Sequence, residues 1–275
     1  AETGRQLWRV LVLLELCPGG DLLELMARHK GALSERKVLR VLTDVSEALF
    51  SLHSHEPAIQ HRNLKLENVL RGRDGSWKIV GFGSCSSDSV DVGNLPPNQL
   101  AKVSKELQRG IKAQYIPPEM LDLKLRLRIS CGVDMWMLGC ILFALLYNRL
   151  PFRPGEKLAI CSAQFLLPAR KTRATPKLVD LLVWLLASEP QHRPNARTLA
   201  EVVWQWKDSE ALELPEPVVE HRNKLIAHAA AVKAHAHGQQ QPEEEEKNIV
   251  ASGADMADAE LTELPEPEGT DGSIG

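Results

Sequence analysis

The decapeptide HRNLKLENVL, residues 61–70, decides the fold of this 275-residue chain, together with the triplet GFG at residues 81–83. In the first string the pair His61-Arg62 is followed by Asn68, six residues after Arg62. Two short apolar pieces, Val69-Leu70 and Trp77 to Val80, flank an Arg-Asp-Gly turn signal, which predicts a β-hairpin between the two motifs. A polar loop, a hairpin and a second loop therefore follow one another here.

Three further short strings occur in a fixed order downstream of this stretch. They are Pro118-Glu119, the pattern D-x-W-x-x-G beginning at Asp134, and the tripeptide HRP at 192–194. A single tripeptide carries no information, but five such strings in order make coincidence implausible.

Together these strings resemble the protein kinase family, over residues 7–206. The resemblance implies a mainly α fold, the kinase-like C-terminal lobe, in which Arg193 pairs with Glu119. The stretches QYIPPEMLDL and DMWMLGCILFALLYNRLPF are similar to the numb-associated (adaptor-associated) serine/threonine kinases. That similarity implies an extra helix over about residues 120–128.

The chain departs from the kinase pattern at both catalytic acids. The family has aspartate where this chain has Asn63 and Gly81, whereas Lys65 and Asn68 match. The resemblance makes Asn63, Lys65 and Asn68 degenerate remnants of a catalytic loop. Because Gly81 has no side chain and one neutral amide is a poor ligand for a hard cation, no metal site is predicted.

By the same resemblance, Glu15 to Cys17 form the hinge of the family, and Leu14 is the gatekeeper. These residues and Leu70 would leave a vestigial adenine pocket. Residues 7–16, LWRVLVLLEL, read as a buried strand that ends at a Pro-Gly turn. Since only about a dozen residues precede the hinge, we expect the N-terminal lobe to be largely absent, with residues 1–17 as its remnant. No cofactor is then expected, and ATP with magnesium enters only if the chain is an active kinase.

Apolar periodicity predicts a mainly helical lobe over residues 18–206. Helices are predicted near 21–29, 35–54, 98–109, 134–147, 155–162, 176–187 and 196–206, with residues 84–116 otherwise a long loop broken by Pro96-Pro97. The segment 136–147 is too short to span a bilayer, which needs about 20 residues, so a buried core helix is predicted and no membrane insertion.

Residues 207–275 differ in composition from the lobe. Residues 1–206 carry a net charge of +8, and residues 207–275 carry −11. The second part is Ala-, Gln- and Glu-rich, and repeats the string ELPEP at 213–217 and 263–267. Such composition predicts a disordered acidic tail, in which only 218–236 favours a helix.

Composition also bounds the location and the ligands. Five cysteines without C-x-x-C spacing indicate reduced intracellular thiols and a cytoplasmic protein. The basic string from Lys102 to Lys112 lacks interleaved aromatic residues, so a solvated face is favoured over a nucleic-acid site.

These observations leave three hypotheses for function. The favoured one is a catalytically inactive kinase homologue, a scaffold or regulator whose protein partners would be an active kinase or an adaptor complex of vesicle traffic. The second is a fragment of a serine/threonine kinase whose N-terminal lobe lies outside this chain. The third is a truncated product without function. The oligomeric state stays open.

Overall fold

The structure is a computed structural model that describes residues 11–29, 33–168, 174–206 and 211–238. Its described part is mainly helical and contains one two-stranded antiparallel sheet. The helices are α1 (Leu22–His29), α2 (Glu35–His53), α3 (Pro97–Leu107), α4 (Pro118–Leu121), α5 (Gly132–Tyr147), α6 (Lys157–Cys161), α7 (Pro176–Leu185), α8 (Ala196–Trp204) and α9 (Glu216–Gly238); the strands are β1 (Val69–Arg71) and β2 (Trp77–Ile79).

Helix α5 forms the centre of the core. Every residue from Val133 to Leu146 is buried, as a helix that is apolar on all sides requires. Helix α7 packs so closely against it that a Cβ on Gly139 would lie 3.1 Å from the Cβ of Leu185, at the end of α7. None of the helices in the described ranges is both long and apolar enough to cross a bilayer.

Helix α2 carries the hairpin that positions the polar loop. Its stripe of apolar residues is buried, as its spacing of three and four predicts, and the helix packs against α8 and β2. The Asp44 carboxylate accepts a hydrogen bond of 2.8 Å from the backbone N–H of Trp77. In the hairpin Val69 pairs with Ile79, which fixes where the chain leaves β2 toward Gly81.

The buried strand predicted for residues 7–16 is wrong over residues 11–16. These residues form no strand, and their leucines are exposed, with Leu13 at 99%. A strand needs a neighbour to accept its backbone hydrogen bonds, and the structure places none beside this segment within its described ranges. Residues 7–10 lie outside those ranges.

Two other boundaries differ from the sequence prediction. Pro96-Pro97 does not break the chain but begins α3, because proline has no N–H to lose in the first turn of a helix. The extra helix expected over 120–128 is replaced by the single turn α4 and a 3₁₀ turn at Leu123–Leu125. That turn ends at Arg126, whose left-handed φ of 56° stops a helix.

The described structure continues past Trp206. Helix α9 packs against α7, where Val218 and Leu225 are buried and the Arg222 guanidinium lies 3.0 Å from the Asp180 carboxylate. Leu214 also contacts the core. The acidic residues 239–275 lie outside the described ranges.

Candidate functional site

The polar loop is held in place by one buried carboxylate. Asp134, fully buried at the start of α5, accepts hydrogen bonds from the backbone N–H groups of His61 and Arg62, each 2.8 Å long. A third donor is His53 Nε2, 2.9 Å away at the end of α2. Arg62 has a left-handed φ of 60°, which is unfavourable for a side chain of this size. The carboxylate therefore fixes a strained loop.

His61 lies at the centre of this loop in one defined tautomer. Its Nε2–H donates to the Val80 carbonyl oxygen at 3.0 Å, and its Nδ1 accepts from the Asn63 N–H at 3.3 Å. The Phe82 ring packs edge-on against it, with centroids 5.2 Å apart. Burial lowers the pKa of His61, although nearby Asp134 opposes the shift. The imidazole is thus a neutral structural link between the loop and the end of the hairpin.

We expect the free energy of unfolding to fall as pH falls below about 6.5, because the unfolded chain then binds a proton that folded His61 resists. The loss ends once the pH passes below the lowered folded pKa. His61→Gln keeps a donor for the Val80 carbonyl and removes the titrating group, so its stability should vary less between pH 7.5 and 5.5 in urea titrations. Exposed His228→Gln is the control. An unchanged slope in His61→Gln would contradict the assignment.

Asn63, Lys65 and Asn68 lie together on the loop. The Asn68 side-chain amide donates to the Asn63 carbonyl oxygen at 2.7 Å, and the Asn68 N–H donates to the Lys65 carbonyl at 3.0 Å. Lys65 and Asn63 are half-buried residues, and neither side chain has a hydrogen-bond or ion-pair partner among the described residues. Two amides and one cation thus line this part of the loop.

Gly81 faces Asn68, whose side chain would have to move to admit a Cβ at position 81. The Gly81 φ of 86° is left-handed, and a Cβ built on this glycine would lie 2.8 Å from Asn68 Nδ2. An aspartate at this position would need both a strained backbone and a displaced Asn68. The asparagine is in turn committed to the Asn63 carbonyl, so residues 63, 68 and 81 are coupled.

The protein kinase domain profile matches residues 3–205 of the chain. The chain belongs to the protein kinase family. It is 33% identical to actin-regulating kinase 1 of Saccharomyces cerevisiae over 195 residues, which are 70% of this chain and 30% of the relative. A probable serine/threonine-protein kinase of Dictyostelium discoideum is 31% identical over 190 residues, 68% of this chain and 17% of the relative. The serine/threonine-protein kinase AKL1 of Saccharomyces cerevisiae is 33% identical over 193 residues, 70% of this chain and 17% of the relative.

The kinase-like fold predicted from the motifs is confirmed by this match. The chain spans less than a third of the length of each of these three curated relatives. Two of these relatives are named as serine/threonine-protein kinases and the third as an actin-regulating kinase, and the names say nothing of the two altered positions in this chain.

The residues predicted to form the hinge lie next to the hairpin. The Lys78 ammonium lies 2.8 Å from the Glu15 carboxylate, and Leu70 forms an isolated bridge with Asp21. Leu14 is exposed, Cys17 and Leu70 are half-buried, and the backbone groups from residue 11 to 17 make no hydrogen bond to other described backbone. None of the four residues of the predicted adenine pocket is therefore fully buried by the part of the chain that the structure describes.

Residues 81–119, between the GFG triplet and Pro118-Glu119, are linked to the loop at several points. The Arg62 guanidinium donates to the Asp88 carbonyl, and Lys112 forms an ion pair with Glu67. At its end the Glu119 carboxylate makes a two-point contact with Arg193 at 2.7 and 2.9 Å, with both side chains fully buried. The pairing implied by the kinase resemblance is thus present.

The described residues contain no group of three His, Cys, Asp or Glu side chains that would hold a metal ion. All five cysteines are free. Sequence reasoning missed His53 and the Lys112–Glu67 pair. His53 ends an amphipathic helix, where a histidine has no motif to mark it. The ion pair joins residues 45 positions apart, which no local pattern indicates.

Proposed function

We propose that this member of the kinase family has no phosphotransfer activity and acts by binding other proteins. The observation that carries the proposal is the geometry at position 81. A kinase holds magnesium against the nucleotide phosphates with an aspartate there, whereas Gly81 has no carboxylate and its side-chain space is taken by Asn68. A hard cation prefers carboxylate oxygens, and a lone amide is a weak substitute.

Asn63 supports the same proposal. A kinase aligns and deprotonates the attacking hydroxyl with an aspartate at this position, and general base catalysis contributes about 10²- to 10⁴-fold. The Asn63 amide cannot accept a proton at physiological pH. Any transfer would therefore have to proceed without the base and without the main metal ligand.

The proposed partner is a protein, either an active kinase or an adaptor complex of vesicle traffic, in the cytoplasm. The numb-associated kinases are the proposed subfamily. Two relatives carry the name actin-regulating kinase, which describes those proteins. What favours a binding role is that the structural links, such as Glu119–Arg193, are intact while the two acids are replaced.

We predict that the purified chain transfers no labelled phosphate above the blank from ATP, with magnesium or manganese, to a generic serine/threonine substrate. Losing the base alone should reduce the rate by about 10²- to 10⁴-fold, and losing the metal carboxylate reduces it further. The kinase domain of actin-regulating kinase 1 serves as the positive control. Labelling that disappears in Lys65→Met would contradict the proposal.

A second candidate is serine/threonine phosphotransfer in a longer protein that includes this segment. It is favoured by Lys65 and Asn68, which match the kinase pattern, and by relatives named as kinases. The same assay on a chain that includes more of the gene product separates the two candidates.

A further inference from the structure

Two exposed leucines lie in the same region of the lobe. Leu158 on α6 is 85% exposed and Leu125, at the end of a 3₁₀ turn, is 41% exposed. Helix α6 and that turn both contact α4, and the Lys157 ammonium lies 2.9 Å from the Asp122 carboxylate, just before the turn. Large apolar side chains grouped on a surface mark contact sites more often than single ones do.

Basic side chains flank these leucines along the chain: Lys124 and Arg128 lie on either side of Leu125, and Arg153 precedes α6, where Glu156 is also exposed. Lys124, Arg128 and Arg153 are exposed, and none of them forms an ion pair with another described residue. We call the region formed by Lys124, Leu125, Arg128 and Leu158 the basic leucine surface. An occupant of this surface needs both apolar side chains and negative charge.

We propose that the basic leucine surface binds residues 260–268 of the same chain, ELTELPEPE. This segment carries four glutamates and two leucines, Leu261 and Leu264, and contains no lysine or arginine. Its composition thus complements the surface in charge and in apolar content. Complementary charge favours the encounter and selects the partner, while buried leucines supply the attraction.

The internal repeat supports a docked leucine. The same string, ELPEP, occurs at 213–217, within the described residues, and there Leu214 packs against the core. Two prolines restrict the free string, so less conformational entropy is lost when it is held. A segment of this sequence therefore already contacts this lobe once.

Chain length permits the contact. Twenty-one residues separate Gly238, the last residue of α9, from Glu260, and such a chain spans at most about 70 Å. A domain of about 200 residues has a radius of gyration of only about 16 Å. Because both sites belong to one chain, the effective concentration is of millimolar order, which makes a weak contact substantial.

The consequence is a surface that the chain itself covers. An acidic protein partner of the lobe would compete with residues 260–268 for the same leucines and cations. The contact goes beyond the proposed lack of phosphotransfer and does not depend on it, because none of its residues belongs to the catalytic loop.

Carbodiimide cross-linking of the full chain tests this proposal, since it joins a lysine amine to a carboxylate only when they touch. Mass spectrometry should find Lys124 joined to glutamates of 260–268. The yield should be unchanged by tenfold dilution and should fall in 1 M NaCl, where the Debye length is about 3 Å. Leu158→Ser, and separately Leu264→Ser, should lower it about fivefold through lost apolar burial. Ile226→Ser, on exposed α9, is the matched control.

Three results would overturn the proposal. If the cross-linking yield is unchanged by both leucine substitutions, or if Lys124 is joined equally to the glutamates at 243–246, the tail is attracted only by charge and does not bind a specific site. A yield that falls on dilution would make the occupant a second copy of the chain. A full-chain thermal unfolding curve for Leu158→Ser that matches wild type confirms that the fold is retained.

Discussion

Replacing Arg193 by methionine is expected to lower the free energy of unfolding by about 3–5 kcal/mol, the range for breaking a buried ion pair from one side. The substitution leaves the fully buried Glu119 carboxylate without its partner. It also removes donors from the carbonyl oxygens of Ala187, Gly132 and Ser188. The Arg193 guanidinium lies over the Trp136 ring at 5.0 Å, so that contact is lost as well.

Thermal unfolding measures this loss, which corresponds to a fall in melting temperature of roughly 6–20 °C for a domain of this size. Arg40→Met is the matched control, because Arg40 is mostly exposed and pairs with Asp44 across one helical turn. An exposed pair contributes about 0–1 kcal/mol. Equal effects of the two substitutions would contradict a structural role for the buried pair.

Sequence patterns predicted the elements that bury a face against the lobe. The stripe on α2 and the uniformly apolar α5 were both predictable, because helical spacing and burial reinforce each other there. The strand predicted over residues 11–16 is wrong because no strand in the described structure pairs with it. Their apolar run favours a strand, but a strand depends on a neighbour that a local pattern cannot supply.

The site was predictable in identity and not in geometry. The motifs name His61, Asn68 and Gly81 but not the contacts between them. Asn68 binds the Asn63 carbonyl oxygen and occupies the space beside Gly81. This arrangement depends on the left-handed φ of Gly81, which the spacing of the motifs does not predict. The left-handed conformation of Arg62 is likewise imposed by the tertiary contact to Asp134.

Asp134→Asn is expected to release the catalytic loop of this kinase homologue. The carboxylate accepts from His61 N–H, Arg62 N–H and His53 with both oxygens, inside the core. An asparagine side chain has only one acceptor oxygen, so its NH2 group would face one of these N–H donors. Hydrogen bonds to a charged group contribute about 1.5–3 kcal/mol each, and a buried donor without a partner is costly. We expect the free energy of unfolding to fall by about 3–5 kcal/mol.

Hydrogen exchange of individual amides locates that loss, because it reports the free energy of local opening. The His61 and Arg62 amides should exchange about 10²- to 10³-fold faster in Asp134→Asn, since Arg62 no longer has the contact that holds its left-handed φ. Asp44→Asn is the matched control: that carboxylate accepts from the Trp77 N–H at 2.8 Å, so its loss should act on the hairpin. If the amides of His61 and Arg62 respond equally to both substitutions, Asp134 does not hold the loop. Faster exchange confined to those two amides would identify this single carboxylate as the group that keeps the loop ordered.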